Sequence, residues 1–354
     1  MKTFTTTLKL TLIACFLLAT TLTVAQTTVN NNANTSADFS DLQAAIDAAT
    51  NGDIIYVQQS ATSYGAITIN KSLTIIGRSH SDSGYKTKVD GVTFDAGSSN
   101  TTLKGLKTDA IGETGSGATI TDLKFFDNDI TGFSLGSTDT FNNMLLQGNV
   151  FRSSFAIQNL SSNVLINNNI FFSASFIEFY NTATVLFSNN VMAYYDGVAF
   201  YNGTTGLLNI DNCIFIGNSP SAQTVKFNPN SGTIQVNNCV AYNHDATGTY
   251  TFNTGTGITI NANNQENTDP LFTSVDPANT ASIVSQYNGS LFDAANDDLT
   301  LQAGSPVSDD GLFQGYNFKN FGTPTGLPSI KVDSYSSTVP KNANLTVTIS
   351  AKTN

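Results

Sequence analysis

Apolar positions along this chain follow two periods at once. Inside short segments they alternate with polar residues, as in Ile67-Thr68-Ile69 and Val225-Lys226-Phe227. That is the pattern of a strand with one buried face. Over longer distances an apolar column returns: Ile75, Leu103, Phe125, Leu146, Ile166, Phe187, Ile210 and Val236. Two residues after each comes Gly77, Gly105, Asp127, Gly148, Asn168, Asn189, Asn212 or Asn238, at spacings of 28, 22, 21, 20, 21, 23 and 26. Gly, Asn and Asp enter the left-handed backbone region most cheaply, so each marks a turn.

Three residues past the turn another apolar column is usual, in Ile130, Phe151, Phe171, Met192 and Phe215. A further strand supplies inward pairs Phe133/Leu135, Phe155/Ile157, Ile177/Phe179, Val198/Phe200, Val225/Phe227 and Tyr250/Phe252. Alternation within strands and a ~20-residue repeat between them predict that each repeat is one coil of a solenoid. The expected fold is all-β, a right-handed parallel β-helix in which like residues stack on like. Phe179, Phe200, Phe227 and Phe252 then form an aromatic file, and Tyr180 and Tyr201 stack on the outside.

The residue after the turn reads Asn128, Asn149, Asn169, Asn190, Cys213 and Cys239. An inward amide there can donate to and accept from the coils on either side, which predicts an asparagine ladder. The two cysteines continue it as neighbours on parallel strands, either as buried thiols or as a disulfide. All eight prolines lie at or beyond Pro220, clear of the regular coils whose ladders need every N–H.

Before the repeats, Ser40-Asp41-Leu42-Gln43 reads as a capping box opening a short helix with Leu42, Ile46 and Ala49 on one face. Such a helix would cover the open end of the solenoid. Residues 1–25 combine basic Lys2 and Lys9, an apolar run from Leu10 to Leu22 and a small-residue cleavage site at Thr23-Val24-Ala25, the form of a secretory signal peptide. Leu12-Ile13-Ala14-Cys15 has a lipoprotein-like form, but the apolar run continues past Cys15. No later run reaches the ~18 apolar residues of a membrane span. The organisation is thus a signal peptide at 1–25, a β-helix domain with its caps at 26–325 and a C-terminal ribbon or tail at 326–354. Within the tail, Ile330-Lys331-Val332 can pair with Leu345–Ile349.

Loss of residues 1–25 removes two lysines and no acids, leaving 13 basic and 26 acidic residues and a net charge of −13. Nucleic acid and anionic lipid require clustered cations, so neither is expected as a partner. A secreted or cell-surface location is.

The run Phe39–Ile46, then Gly52-Asp-Ile-Ile-Tyr-Val57 and Lys71-Ser-Leu-Thr-Ile-Ile-Gly77, resembles the opening of the pectate-lyase-like superfamily of β-helix proteins. Asp269-Pro-Leu-Phe272 followed by Leu301-Gln-Ala-Gly-Ser-Pro306 is similar to the closing segment of many secreted bacterial members. The resemblance spans residues 36–312. It implies the fold and leaves chemistry open, because the superfamily holds lyases, hydrolases and members without known activity.

A β-helix lyase needs Lys or Arg beside carboxylates that hold Ca²⁺ or neutralise a uronate. Lys104 and Lys124 sit at different registers and are not expected to share a face. Arg78 lies in the opening coil and Arg152 just past a strand end. Asp127 and Asp129 are followed one coil on by Gly148 and Val150. A glycosidase needs two carboxylates about 5–9.5 Å apart. Asn267-Thr268-Asp269 belongs to the closing segment, while Asp297-Asp298 and Asp309-Asp310 lie outside the regular coils. His80 and His244 are distant in coil order, and no metal or cofactor is implied. The expected role is a non-catalytic module for adhesion, assembly or glycan contact. The alternatives are a polysaccharide lyase or glycoside hydrolase, and a structural subunit of an extracellular assembly. Its candidate binding face is Glu178, Tyr180, Tyr201 and Lys226, outward neighbours of the inward phenylalanines, with a polysaccharide or cell-surface component as partner.

Overall fold

The computed structural model describes residues 25–78, 86–160, 164–172, 176–182, 184–194, 199–203, 206–217, 219–243, 248–274, 298–313, 329–335 and 347–352. The expected signal peptide, apart from Ala25, lies outside these residues. So do Val198, His80, His244 and Asp297.

Eleven parallel strands, from Gln26–Val29 to Ile258–Ile260, stack into one long sheet along one side of a coil. The remaining strands run in parallel ladders around its other sides. In the long sheet the predicted apolar column is in register from Ile55 and Ile75 through Leu103, Phe125, Leu146, Ile166, Phe187, Ile210 and Val236. Every member is buried. Phenylalanines fill the interior across from it. Phe133 stacks on Phe155 at 4.9 Å and Phe151 on Phe171 at 4.7 Å, with edge-on contacts between these pairs. Each fully buried ring contributes roughly 1.5–3 kcal/mol relative to exposure.

The turn column behaves as predicted from Gly105 onward. Gly105, Asp127, Gly148, Asn168, Asn189, Asn212 and Asn238 all have positive φ, between 48° and 72°. Gly77 differs, because it is glycine for space. A Cβ there would come within 2.7 Å of Thr87 Cβ and 2.8 Å of Leu106 Cδ2.

Three expectations are corrected at the N-terminal end and in the register. The helix, α1 (Leu42–Ala48), is capped by Asp41, whose Oδ1 accepts from Ala44 N at 2.7 Å. Gln43 instead binds the backbone of Thr68 and the Asp47 side chain, so no capping box closes. A strand at Gln26–Val29 precedes the helix and pairs with Ile54–Val57, which places the first long-sheet strand ahead of the cap. Third, Phe200 stands opposite Ile177, and Asn202 opposite Phe179. A second such shift sets Tyr250 opposite Gln223 and Phe252 opposite Val225. A slip of two residues keeps every side chain on its own face, so alternation alone cannot detect it.

The ladder forms. Asn128 Nδ2 donates to Asn149 Oδ1 at 2.9 Å, Asn149 to Asn169 and Asn169 to Asn190 at 3.0 Å each. Each amide also donates to a backbone carbonyl of the preceding coil, as Asn149 does to Phe125 O. Asn149 Oδ1 accepts the backbone N–H of Asn128 as well, and the same bond recurs down the column. Cys213 and Cys239 follow as free, fully buried thiols. Burial, reinforced by the Cys213 thiol, pushes the Cys239 thiol well above its ordinary value. The column then returns to amide at Asn264, whose Oδ1 accepts from Cys239 N at 2.8 Å.

The closing segment does more than cover the last coils. Phe272–Ser274 and Asp298–Leu301 pair antiparallel, and residues 307–313 then run back along the side of the solenoid. There Val307 and Leu312 join Val150, Ile170, Phe172, Val191, Ile214, Ile216 and Val240 in a second apolar cluster outside the coils. Ser329–Tyr335 and Val347–Lys352 pair antiparallel with Val332 opposite Ile349, which is the expected terminal ribbon.

Candidate functional site

Glu178, Tyr180, Tyr201 and Lys226 all alternate with buried residues of their strands, Ile177, Phe179, Phe200, Val225 and Phe227. They therefore point away from the core on one surface. The two-residue slip rearranges them. Tyr201 pairs with Glu178 and not with Tyr180, while Lys226 stands opposite Ala199. The predicted tyrosine stack is absent, because Tyr180 meets Gly203 on the next coil. A Cβ at Gly203 would fall 2.1 Å from Tyr180 Cδ1 and 2.2 Å from Cε1, so the glycine makes room for the ring. Tyr180 lies over that backbone with 38% of its surface exposed. The patch is thus a ring resting on glycine, with a Glu–Tyr pair beside it and a lysine one coil further.

Several of the charged residues considered for chemistry make contacts within the fold. Arg152 Nε and Nη2 hold Asp129 Oδ1 and Oδ2 at 2.5 and 3.1 Å, with the Asp129 side chain 5% exposed. This two-pronged geometry fixes the start of one coil onto the next. Lys104 pairs with Asp127 at 3.6 Å. Lys104 and Lys124 do share the outer face of the long sheet, contrary to expectation, since they flank inward Leu103 and Phe125 two positions apart. Glu113 binds the loop of the following coil: Oε2 accepts from Gly136 N, and Oε1 from Ser137 Oγ and Thr138 N, at 2.7–2.8 Å. Burial works against its charge, but these donors outweigh it and hold the carboxyl below its ordinary value. Among the described residues no group of three His, Cys, Asp or Glu could hold a metal ion. Nor is any helix among them long and apolar enough to cross a membrane.

The long sheet also carries an outward polar column that sequence reasoning misses. Gln147, Asn167, Ser188, Asp211 and Asn237 are in register along it. Beside them run Leu145, Leu165, Leu186 and Asn209. Asp211 accepts from Asn209 Nδ2 at 2.5 Å and from Asn237 Nδ2 at 2.7 Å, and Asn261 donates to Asn237. The alternation that fixes the inward column aligns these residues too. Asp211 is, however, the one charged member of this column, too little of a charge signal to single the column out.

Compared with known proteins, residues 109–265 match the family model described as "Right handed beta helix region". The fold is a right-handed parallel β-helix. The matched stretch contains the asparagine ladder, both cysteines and the outward tyrosine patch. No curated protein and no solved structure matches the chain.

Proposed function

We propose that this chain is a secreted, non-catalytic β-helix module that contacts a glycan or another cell-surface component through the outer face of its coils. The observation that carries the reading is Tyr180 resting over Gly203 beside Glu178 and Tyr201. An aromatic ring held against backbone, with polar groups at its edge, suits the apolar face and rim hydroxyls of a sugar. The ion pairs and loop caps made by Arg152, Asp129, Lys104, Asp127 and Glu113 support a structural role for the charged groups. The uncharged amides on the long sheet add a second hydrogen-bonding surface.

The test is a glycan array with the mature protein, followed by titration of any hits. Tyr180→Ala/Tyr201→Ala should weaken binding about tenfold or more, a loss of about 1.4 kcal/mol or greater. Gly203→Ala, which pushes the Tyr180 ring aside, should weaken it in the same direction. Binding that survives both substitutions unchanged would exclude this patch as the contact.

A further inference from the structure

Residues 307–313 cross three coils along the turn column. Asn189 Nδ2 donates to Asp309 O at 3.1 Å, Gly311 N to Asn212 O at 2.8 Å, and Phe313 N to Asn168 Oδ1 at 2.8 Å. The left-handed asparagines thus have a second use, gripping the backbone of a strap that turns on itself, with Asp310 N donating to Val307 O at 3.0 Å. Val307 and Leu312 are buried against Val191, Ile214 and Val240. Gly311 has φ +69° and passes so close that a Cβ would sit 2.6 Å from Ile214 Cδ1. Between these apolar anchors lies a carboxyl, Asp310, only 7% exposed. The titratable groups facing it are Asp309 on the strap itself and the Cys239 thiol in the coil beneath. None of them offers a positive charge.

We propose that residues 307–313 form a pH-gated latch: the strap is seated in the outer apolar groove while Asp310 is protonated and lifts when Asp310 ionises. Burial, and then the Asp309 charge, raise Asp310 from 3.8 to about 7. A carboxyl that holds its proton more tightly when seated favours seating fully below about pH 4. That advantage is lost as pH rises through about 7. Lifting uncovers Val191 and Ile214, so a change of medium would alter the groove.

The chain contains no tryptophan, so Phe313→Trp in the full mature protein reports on the strap alone. Its emission should be blue-shifted at pH 4 and move to the red with a midpoint between about pH 4 and 7, while the far-UV circular dichroism of the coils stays constant. Adding Asp310→Asn, or Asp310→Ala, should leave the emission blue-shifted up to pH 8.5. Limited proteolysis without the reporter gives an independent readout. At pH 8.5 the natural sequence should be cut near the strap about tenfold faster than the Asp310→Asn variant, because the seating advantage of the protonated carboxyl is lost between about pH 4 and 7 and the variant has no charge to lift it. At pH 4 the two should be equal. An emission that ignores pH, a red shift that persists in both Asp310 variants, or a shift that coincides with loss of the coil signal would overturn the latch.

Discussion

Asn149→Leu should lower the melting temperature by about 10 °C, whereas Asn228→Ala should move it by less than about 2 °C. Both positions are asparagines in neighbouring parts of the repeat, but Asn228 is exposed and Asn149 is fully buried. Leucine at 149 removes the acceptor for Asn128 N and Asn128 Nδ2 and the donor for Phe125 O. Each group left unpaired in the interior costs about 1–3 kcal/mol, so the total is several kcal/mol. Because coils contact chiefly their neighbours, the break should also uncouple the melting of the segments on either side. Calorimetry reads both effects. A single transition at the wild-type temperature would show that the ladder does not bind the coils together.

Arg152→Gln should destabilise the fold by about 3 kcal/mol, because it leaves the nearly buried Asp129 carboxylate on the outer side of the coil without its guanidinium. The partial exposure of Arg152, 21%, keeps the figure at the low end for a buried pair. Replacing both partners, as Arg152→Met/Asp129→Leu, should recover most of the loss, since no buried charge then remains. Chemical denaturation of the three variants measures this. If Arg152→Gln is as stable as wild type, the pair is not structural, and its place on the outside of the coils would call for a functional explanation.

The fold is legible in the chain because its signal is repeated. One strand in isolation is ambiguous, but Leu103, Phe125, Leu146 and Ile166 at matching places in successive repeats admit few architectures other than a coil. The ladder is legible for the same reason, up to Cys239. Its resumption at Asn264 is obscured because Asn261 stands where an apolar residue precedes the other turns. Register is only half legible. Period-2 alternation says which face Tyr180 and Tyr201 occupy, but it cannot say which residue each meets, and a shift of two residues separates them. The common face of Lys104 and Lys124, by contrast, follows from alternation alone, one position after Leu103 and one before Phe125. The strap is illegible for another reason. Its contacts join Phe313 to Asn168 and Gly311 to Asn212, far apart along the chain, and nothing local in Asp309-Asp310-Gly311-Leu312 announces a groove. The outward apolar residues Val150, Ile170, Val191, Ile214 and Val240 are its available clue, since an unoccupied outer face should not be so consistently apolar.

Under the proposed function, Arg152, Asp129, Lys104, Asp127 and Glu113 hold coils together and the outer face binds without cutting. Product analysis tests this most directly. The mature protein is incubated with a panel of acidic and neutral polysaccharides, with and without Ca²⁺, and new reducing ends and unsaturated uronates are measured over a day. Retained ligand with neither kind of new end is the predicted result. New ends that disappear in Arg152→Gln or in Lys104→Ala, at a temperature where those variants remain folded, would contradict it.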